Sequence, residues 1–370
     1  MGLIAYTIYL VRRFKTNIRR SSISFSVADL KQKDDAFLST QLQKIEKDKA
    51  SVLESFPVLR EVHYMDVADG LFPVSNLAVD DTIKKMLEQK VSTLPAVSTT
   101  SLALLDLLQD PESNPGEITS LVSTNPVFSA KILQTINSVY FNLPQKVTSI
   151  GRAITLLGYN NVRSLVFEDI LDDTLPSMKD ADRERYFNIW THSAVVSVCA
   201  GYLGKSLFRL SEYTLGTIGL LHDIGKYFFH LLERREGAAT GLPTIIGEES
   251  RYGINHAVIG AIIAHRWQLP GIVTDTIEHH HSPSFFPPDR IPGTCLKESL
   301  AVCLSDLICK VLGYIGQDGD LLPIRDEYYK RYGLKNDLIE IVTPGLIRDI
   351  DKARYTVRSY VDTTEREKGG

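Results

Sequence analysis

The chain has 370 residues, 44% of them apolar and 23% charged, with a formal net charge of −4 at pH 7. This is the balance of a soluble globular protein long enough for two or three packed units, and it excludes the basic footprint of a nucleic-acid binder. Four cysteines, Cys199, Cys295, Cys303 and Cys309, show no Cys-x-x-Cys spacing, which argues for reduced, mostly buried thiols in a cytosolic protein and against a zinc–thiolate site.

Residues 1–20 are an apolar and then basic segment. Gly2 to Val11 carry no charge, and Arg12-Arg13-Phe14-Lys15 and Arg19-Arg20 follow. Ten helical residues reach roughly 15 Å, half of a hydrocarbon core of about 30 Å, and no basic leader precedes the run as in a secretory signal. One reading is an anchor through residues 2–20 on the inner face of the membrane, or the end of a spanning helix that starts upstream, with the rest of the chain cytoplasmic. The other is a docked or frayed terminal helix.

Residues 21–85 read as a helical linker. From Ser26 to Glu54, Leu30, Phe37, Leu38, Leu42, Ile45 and Leu53 recur at mostly three- to four-residue steps, the period of an amphipathic helix. The turn-rich Asp66 to Pro73 interrupts it, and Asp80-Asp81 then caps a helix through Lys90. Short helices separated by Pro and Gly fill Leu94 to Leu171. Ser98-Thr99-Thr100 caps Leu102 to Leu108, Asn114-Pro115 and Asn125-Pro126 open the next two, and Gly151 to Leu157 and Asn160 to Leu171 continue the series. Longer helices are expected over Asp180 to Lys205, Ser211 to Arg235, His256 to Trp267, Ile272 to His281 and Lys297 to Leu312. A charged tail, residues 311–370, carries helical patches at Leu334 to Val342 and Ile347 to Tyr360. No alternating run bounded by hairpin turns occurs, so the chain reads as all-α.

Of nine histidines, eight lie between His192 and His281. A lone histidine on an apolar helix face is usually a packed, hydrogen-bonded one. Here four successive helices each bring histidine, as His192, His222, His256 and His280-His281, and a fifth brings Asp306 between Leu304 and Leu307. A buried carboxylate in such an apolar helix needs a charged or hydrogen-bonding partner, and a metal ion is one. Imidazole and carboxylate suit manganese, iron or zinc, whose bound water becomes nucleophilic near neutral pH. His222-Asp223 is the sharpest element. Neighbours on a helix point about 100° apart, so both reach one ion only at close range, and Gly219 and Gly225 remove bulk on either side. Lys226, one turn on, either offers its ammonium to a phosphate or is a solvated surface lysine. His230 and His265 fit no ligand position.

Leu221-His222-Asp223-Ile224-Gly225-Lys226 resembles the signature of the HD superfamily of metal-dependent phosphohydrolases. The blocks around it resemble one branch, the HDOD family of bacterial signalling proteins. Leu94-Pro95-Ala96-Val97, Asn125-Pro126, Asn137-Ser138-Val139-Tyr140 and Ala153-Ile154-Thr155-Leu156-Leu157-Gly158 are similar to its early blocks. His256 to Ala261, Trp267-Gln268-Leu269-Pro270 and Ile277 to Pro283 are similar to its later ones. The resemblance implies a domain over residues 86–310, with a smaller N-terminal helical subdomain (86–179) on an HD-type bundle (180–310). It also selects His280 and His281, rather than His279, from the histidine triplet. One ion would be held by His192, His222, Asp223 and Asp306, and Asp223 would bridge to a second held by His256, His280 and His281. Asp223 and Lys226 would serve catalysis. The chain departs from the related HD-GYP cyclic-di-GMP phosphodiesterases, because Ser282-Pro283-Ser284-Phe285-Phe286-Pro287-Pro288 follows the histidine pair, with no Gly-Tyr-Pro and no Glu.

Three functions follow from the resemblance. The first is a regulatory module that docks a signalling protein, its histidine cluster structural or metal-stabilised. The second is a phosphohydrolase acting on a nucleotide or phosphate ester with about one or two divalent ions per chain. The third is a nucleotide sensor without turnover.

Overall fold

In the computed structural model the described residues are 81–368, apart from 93–96, 111, 139–140, 175–182, 230–244, 315–321, 323 and 335–340. The N-terminal segment, the linker up to residue 80, part of the Leu94 block, Val139-Tyr140, His230 and the patch expected at Leu334 to Val342 therefore lie wholly or largely outside them. The described residues are helical and contain no strand. None of their helices is long and apolar enough to cross a membrane.

Six helices lead: α1 (Asp81–Ser92), α2 (Thr99–Gln109), α3 (Pro115–Ser123), α4 (Pro126–Ile136), α5 (Ile150–Leu157) and α6 (Tyr159–Thr174). Their starts are fixed by side-chain caps. Ser98, Asn114, Asn125 and Ser149 each accept a backbone N–H of the first turn, and Pro115 and Pro126 occupy the position where a missing N–H costs nothing. Ile118, Val122, Phe128, Ile132, Ile136, Ile154 and Leu157 close the core of this layer. Lys131 on α4 is buried against Glu168 on α6, with Asp169 and Asp172 each 3.6 Å away.

The bundle is built on α7 (Arg183–Leu203), which is buried almost all round from Tyr186 to Gly201, as a central helix must be. It runs into a single π turn, Gly204–Phe208. Against it pack α8 (Glu212–Leu221) and α13 (Leu296–Val311). Between these last two come α9 (Ile245–Tyr252), α10 (His256–Arg266), α11 (Gly271–His279) and the one-turn α12 (Ser282–Phe285), and α14 (Asp326–Tyr332) and α15 (Pro344–Lys368) follow. Arg163 on α6 ties the two layers together. Fully buried, it donates to the carbonyls of Leu108 (3.4 Å) and Tyr213 (2.9 Å) and fills the space over Gly216, where a Cβ would overlap its guanidinium.

Two expectations about the elements need correction. The stretch read as a charged tail is part of the body: Leu346, Ile347, Ile350, Ala353 and Val357 are buried, and α15 packs on α7, α4 and α6. Its apolar residues recur at three- and four-residue steps between the charged ones, and one of those charges, Arg354, is itself buried. The helix expected over Ser211 to Arg235 is interrupted, and the one expected over Ile272 to His281 ends two residues early. α8 ends at Leu221, His222 and Asp223 form a turn, and a new helical segment covers 224–229. α11 likewise ends at His279, and His280 and His281 form a turn before α12.

Candidate metal centre

The site is built at these two helix ends. Side chains of neighbours on a helix diverge by about 100°, and His222 and Asp223 accordingly fall in different ligand groups, whereas His280 and His281 come close enough to share one. Close backbone approach brings the segments together. A Cβ on Gly219 would lie 2.9 Å from the Val196 carbonyl of α7, and one on Gly225 would overlap the His256 carbonyl at the start of α10. Gly225 thus sets the distance between Asp223 and His256, and Gly219 that between His222 and the His192 helix. Asn255 caps α10 by accepting from Val258 and fixes the turn from which His256 projects.

Two groups of side chains result. Asp223, His256, His280 and His281 place one ligand-type atom each within 4.8 Å of one another, and so do His192, His222 and Asp306. Asp223 stands between them. Its Oδ1 is 3.2 Å from His256 Nε2 and 3.9 Å from His280 Nε2, and its Oδ2 is 3.4 Å from His222 Nε2 and 3.7 Å from His192 Nε2. His192 Nε2 lies 2.9 Å from Asp306 Oδ1, and the Nε2 atoms of His256 and His281 face one another at 3.0 Å. The structure thus brings together all seven residues singled out as ligands, and none is more than 4% exposed. His279 points elsewhere, toward the Ser282 hydroxyl at 3.2 Å, and His265 is exposed.

The outer nitrogens are anchored. Nδ1 of His192, His222 and His280 donates to the backbone carbonyls of Tyr314 (2.7 Å), Gly219 (2.8 Å) and Ile277 (2.6 Å), which turns each Nε2 inward. The Nε2 atoms of these three histidines, and Oδ1 of Asp223 and Asp306, are buried and make no well-formed hydrogen bond. Buried polar atoms are ordinarily satisfied, so five unsatisfied ones converging at one place fit divalent cations. A metal ion on the three-ligand group would take His192, His222 and Asp306, and one on the four-ligand group His256, His280, His281 and Asp223.

Lys226 is neither solvated nor turned toward an open face. It is 2% exposed and donates to Asp223 Oδ2 at 2.7 Å. Two residues that sequence reasoning passed over complete the set. Lys310, buried, donates to Asp306 Oδ2 at 2.9 Å. Glu248 on α9 accepts from both the backbone N–H and the Nδ1–H of His256. The i, i+4 spacing of Asp306 and Lys310 was a usable signal. Glu248 gave none, because the bend at Gly253 separates its helix from α10.

Electrostatics follow the same geometry. Burial pushes the His222 imidazole down to about 4, and His280 and His281 well below their usual range, so these three are neutral at pH 7. Burial alone would raise the Asp223 and Asp306 carboxyls. His222, protonated only in the acid range where the carboxyl titrates, and Lys226 on the first, and Lys310 and then the hydrogen bond of His192 on the second, hold both well below it. His256 is the exception: burial would lower it, but Glu248 outweighs that and raises it to about 9. Metal-free His256 is therefore cationic at neutral pH, and an ion must displace its Nε2 proton. Metal uptake at pH 7 is expected to release close to one proton, and affinity to climb by up to about tenfold per pH unit below pH 9. Calorimetry in buffers of differing ionisation enthalpy reads the proton. Uptake without proton release, at an affinity flat in pH, would contradict this charge state.

The HDOD domain family matches residues 94–283, just over half of the chain. An uncharacterized protein of Treponema pallidum (strain Nichols) is 22% identical over 213 residues, a stretch that covers 56% of this chain and 41% of that protein. The chain thus spans well under half the length of this curated relative. Among solved structures, an HDOD domain protein of unknown function from Geobacter sulfurreducens aligns over 77% of this chain and 94% of its own, at 22% identity and a TM-score of 0.50. A candidate signal transduction protein from Marinobacter aquaeolei VT8 aligns over 91% of this chain and 69% of its own, at 19% identity and a TM-score of 0.56. At these identities the two structures establish a shared helical fold.

Proposed function

The chain belongs to the HDOD family, and from that premise we propose that it is a regulatory, signal-transducing protein whose buried histidine–aspartate centre binds divalent metal ions. The observation that carries the reading is the convergence of seven buried ligand-type residues, five of them with a buried polar atom that makes no well-formed hydrogen bond. Burial favours regulation over turnover. With every candidate ligand at most 4% exposed, an ion here would cross-link α7, the two turns, α10 and α13, and its binding free energy would become stability of that arrangement. Such a protein acts through a protein partner that reads the state of the bundle. The chain's own part is to hold the donors. Backbone carbonyls orient three imidazoles, Lys226 and Lys310 each pin one oxygen of an aspartate, and Asp223 reaches both groups.

A second reading, hydrolysis of a phosphate ester or nucleotide, is favoured by the completeness of the ligand set. Bound manganese, iron or zinc would supply a Lewis acid to the phosphoryl group. Lys226 would have to leave Asp223 Oδ2 to meet a phosphate, so in this structure it is a partner of the carboxylate.

Elemental mass spectrometry of full-length protein, purified without a metal-affinity step, tests the proposal. About one or two ions per chain are expected, with a raised melting temperature on loading. Loaded protein that leaves nucleotides and phosphodiesters intact supports regulation, and chelator-sensitive turnover moves the assignment to the hydrolase. No ion, even after incubation with manganese, iron or zinc, would sink both.

A further inference from the structure

Resting on the metal-binding reading, we infer that Glu248 is a positioning residue that makes Asp223, His256, His280 and His281 the tighter of the two metal groups. Four of the five inward histidines have a described anchor for Nδ1, and only one of those anchors is charged. His192, His222 and His280 lean on backbone carbonyls, whereas His256 Nδ1 lies 2.6 Å from Glu248 Oε2. A carboxylate only accepts, so Nδ1 carries a proton, and Nε2, the nitrogen left for an ion, faces Asp223 Oδ1 and His281 Nε2, at 3.2 and 3.0 Å.

The same Oε2 accepts the backbone N–H of His256 at 2.8 Å, which fixes the ring and the first turn of α10 together. Glu248 is fully buried, and its other oxygen makes no hydrogen bond. A buried carboxylate with half its capacity unused is costly for the fold, and both of the hydrogen bonds found for it go to His256. A carboxylate behind a metal-binding imidazole fixes its tautomer and raises its donor strength, and loss of such a partner weakens metal binding about 10- to 100-fold. The three-ligand group has no such carboxylate behind either histidine, whose Nδ1 atoms meet the carbonyls of Tyr314 and Gly219.

The test is calorimetric titration of the full chain with Zn2+ and with Mn2+, comparing wild type, Glu248→Ala, Glu248→Gln and His192→Ala. In Glu248→Ala the tighter of two binding events, its affinity corrected for the proton displaced from His256, is expected to weaken about 10- to 100-fold while the weaker one is unchanged. Glu248→Gln keeps a neutral acceptor of nearly the same shape and is expected to recover part of that loss. His192→Ala should abolish only the weaker event. Nitrogen-15 chemical shifts of the metal-free protein, taken above pH 9 where His256 holds one ring proton, supply a readout independent of metal: that proton sits on Nδ1 in wild type and Glu248→Gln, and loses that preference in Glu248→Ala. If Glu248→Ala is unfolded by circular dichroism, Glu248→Gln decides, with about tenfold weakening of the tighter event expected. Wild-type affinity in the Glu248 variants, or equal weakening of both events, would overturn the inference while leaving the metal centre standing. Wild type that binds neither ion would overturn the metal reading itself.

Discussion

Asp223→Ala is expected to abolish uptake at both metal groups, although it removes one side chain. The reason is position: Oδ1 of Asp223 faces His256 and His280 while Oδ2 faces His222 and His192, all within 3.9 Å. Asp223 belongs to the four-ligand group and yet lies this close to histidines of the other. The loss at each group should exceed the ~10- to 100-fold that removal of an outer partner costs, because a charged ligand itself is gone. His281→Ala and His192→Ala should each empty one group only, the first the four-ligand group and the second the three-ligand group. Asp223→Ala also takes the Oδ2 acceptor from buried Lys226, so part of its effect could be misread as unfolding. Asp223→Asn separates the two, since it keeps volume and an oxygen for the lysine but lacks the negative charge. Metal content by mass spectrometry and melting temperature are the paired readouts. If Asp223→Asn folds like wild type and still binds one ion at wild-type affinity, the two groups do not share this residue.

Much of this centre was legible before any coordinates, and the reasons are physical. Helix starts at Asn114, Asn125 and Ser98 carry their own caps, so sequence and structure agree on them. The seven inward residues are conspicuous because histidine and aspartate are unexpected on such apolar segments. What could not be read was that the helices end at the paired residues. Periodicity continues smoothly through Leu221-His222-Asp223-Ile224 and through Ile277 to His281, yet the backbone breaks at both. Apolar spacing reports which side faces the core, and it is blind to a two-residue turn that preserves that facing. Glu248 escaped for a different reason: it acts across the bend at Gly253 with no local pattern to mark it. α15 was hidden by its charge, which dominates composition while Leu346, Ile350 and Val357 do the packing.

Lys310→Met is expected to destabilise the metal-free protein by about 3–5 kcal/mol at neutral pH, the cost of breaking a buried ion pair from one side. Lys310 is 1% exposed and Asp306 4%, and the ammonium donates to Asp306 Oδ2 at 2.9 Å one helical turn away. Methionine matches the stem in volume, so packing is nearly conserved and the loss is electrostatic. The sign of the pH dependence distinguishes this account from a packing defect. Burial would raise the Asp306 carboxyl, but Lys310, with help from His192, holds it well below the usual carboxylate range. Such a group contributes stability that is present above the unfolded carboxylate pKa and is lost as pH falls through the depressed folded value. Removing Lys310 removes that contribution, so the gap between wild type and variant should be widest near neutral pH and close on acidification. Loading the three-ligand group should narrow it as well, because an ion on Asp306 Oδ1 supplies the positive charge that the lysine no longer does. Urea denaturation at several pH values, with and without Mn2+, measures all three effects. A gap below about 1 kcal/mol, or one unchanged by acid and metal, would mean that the ammonium does not sustain the charge of Asp306.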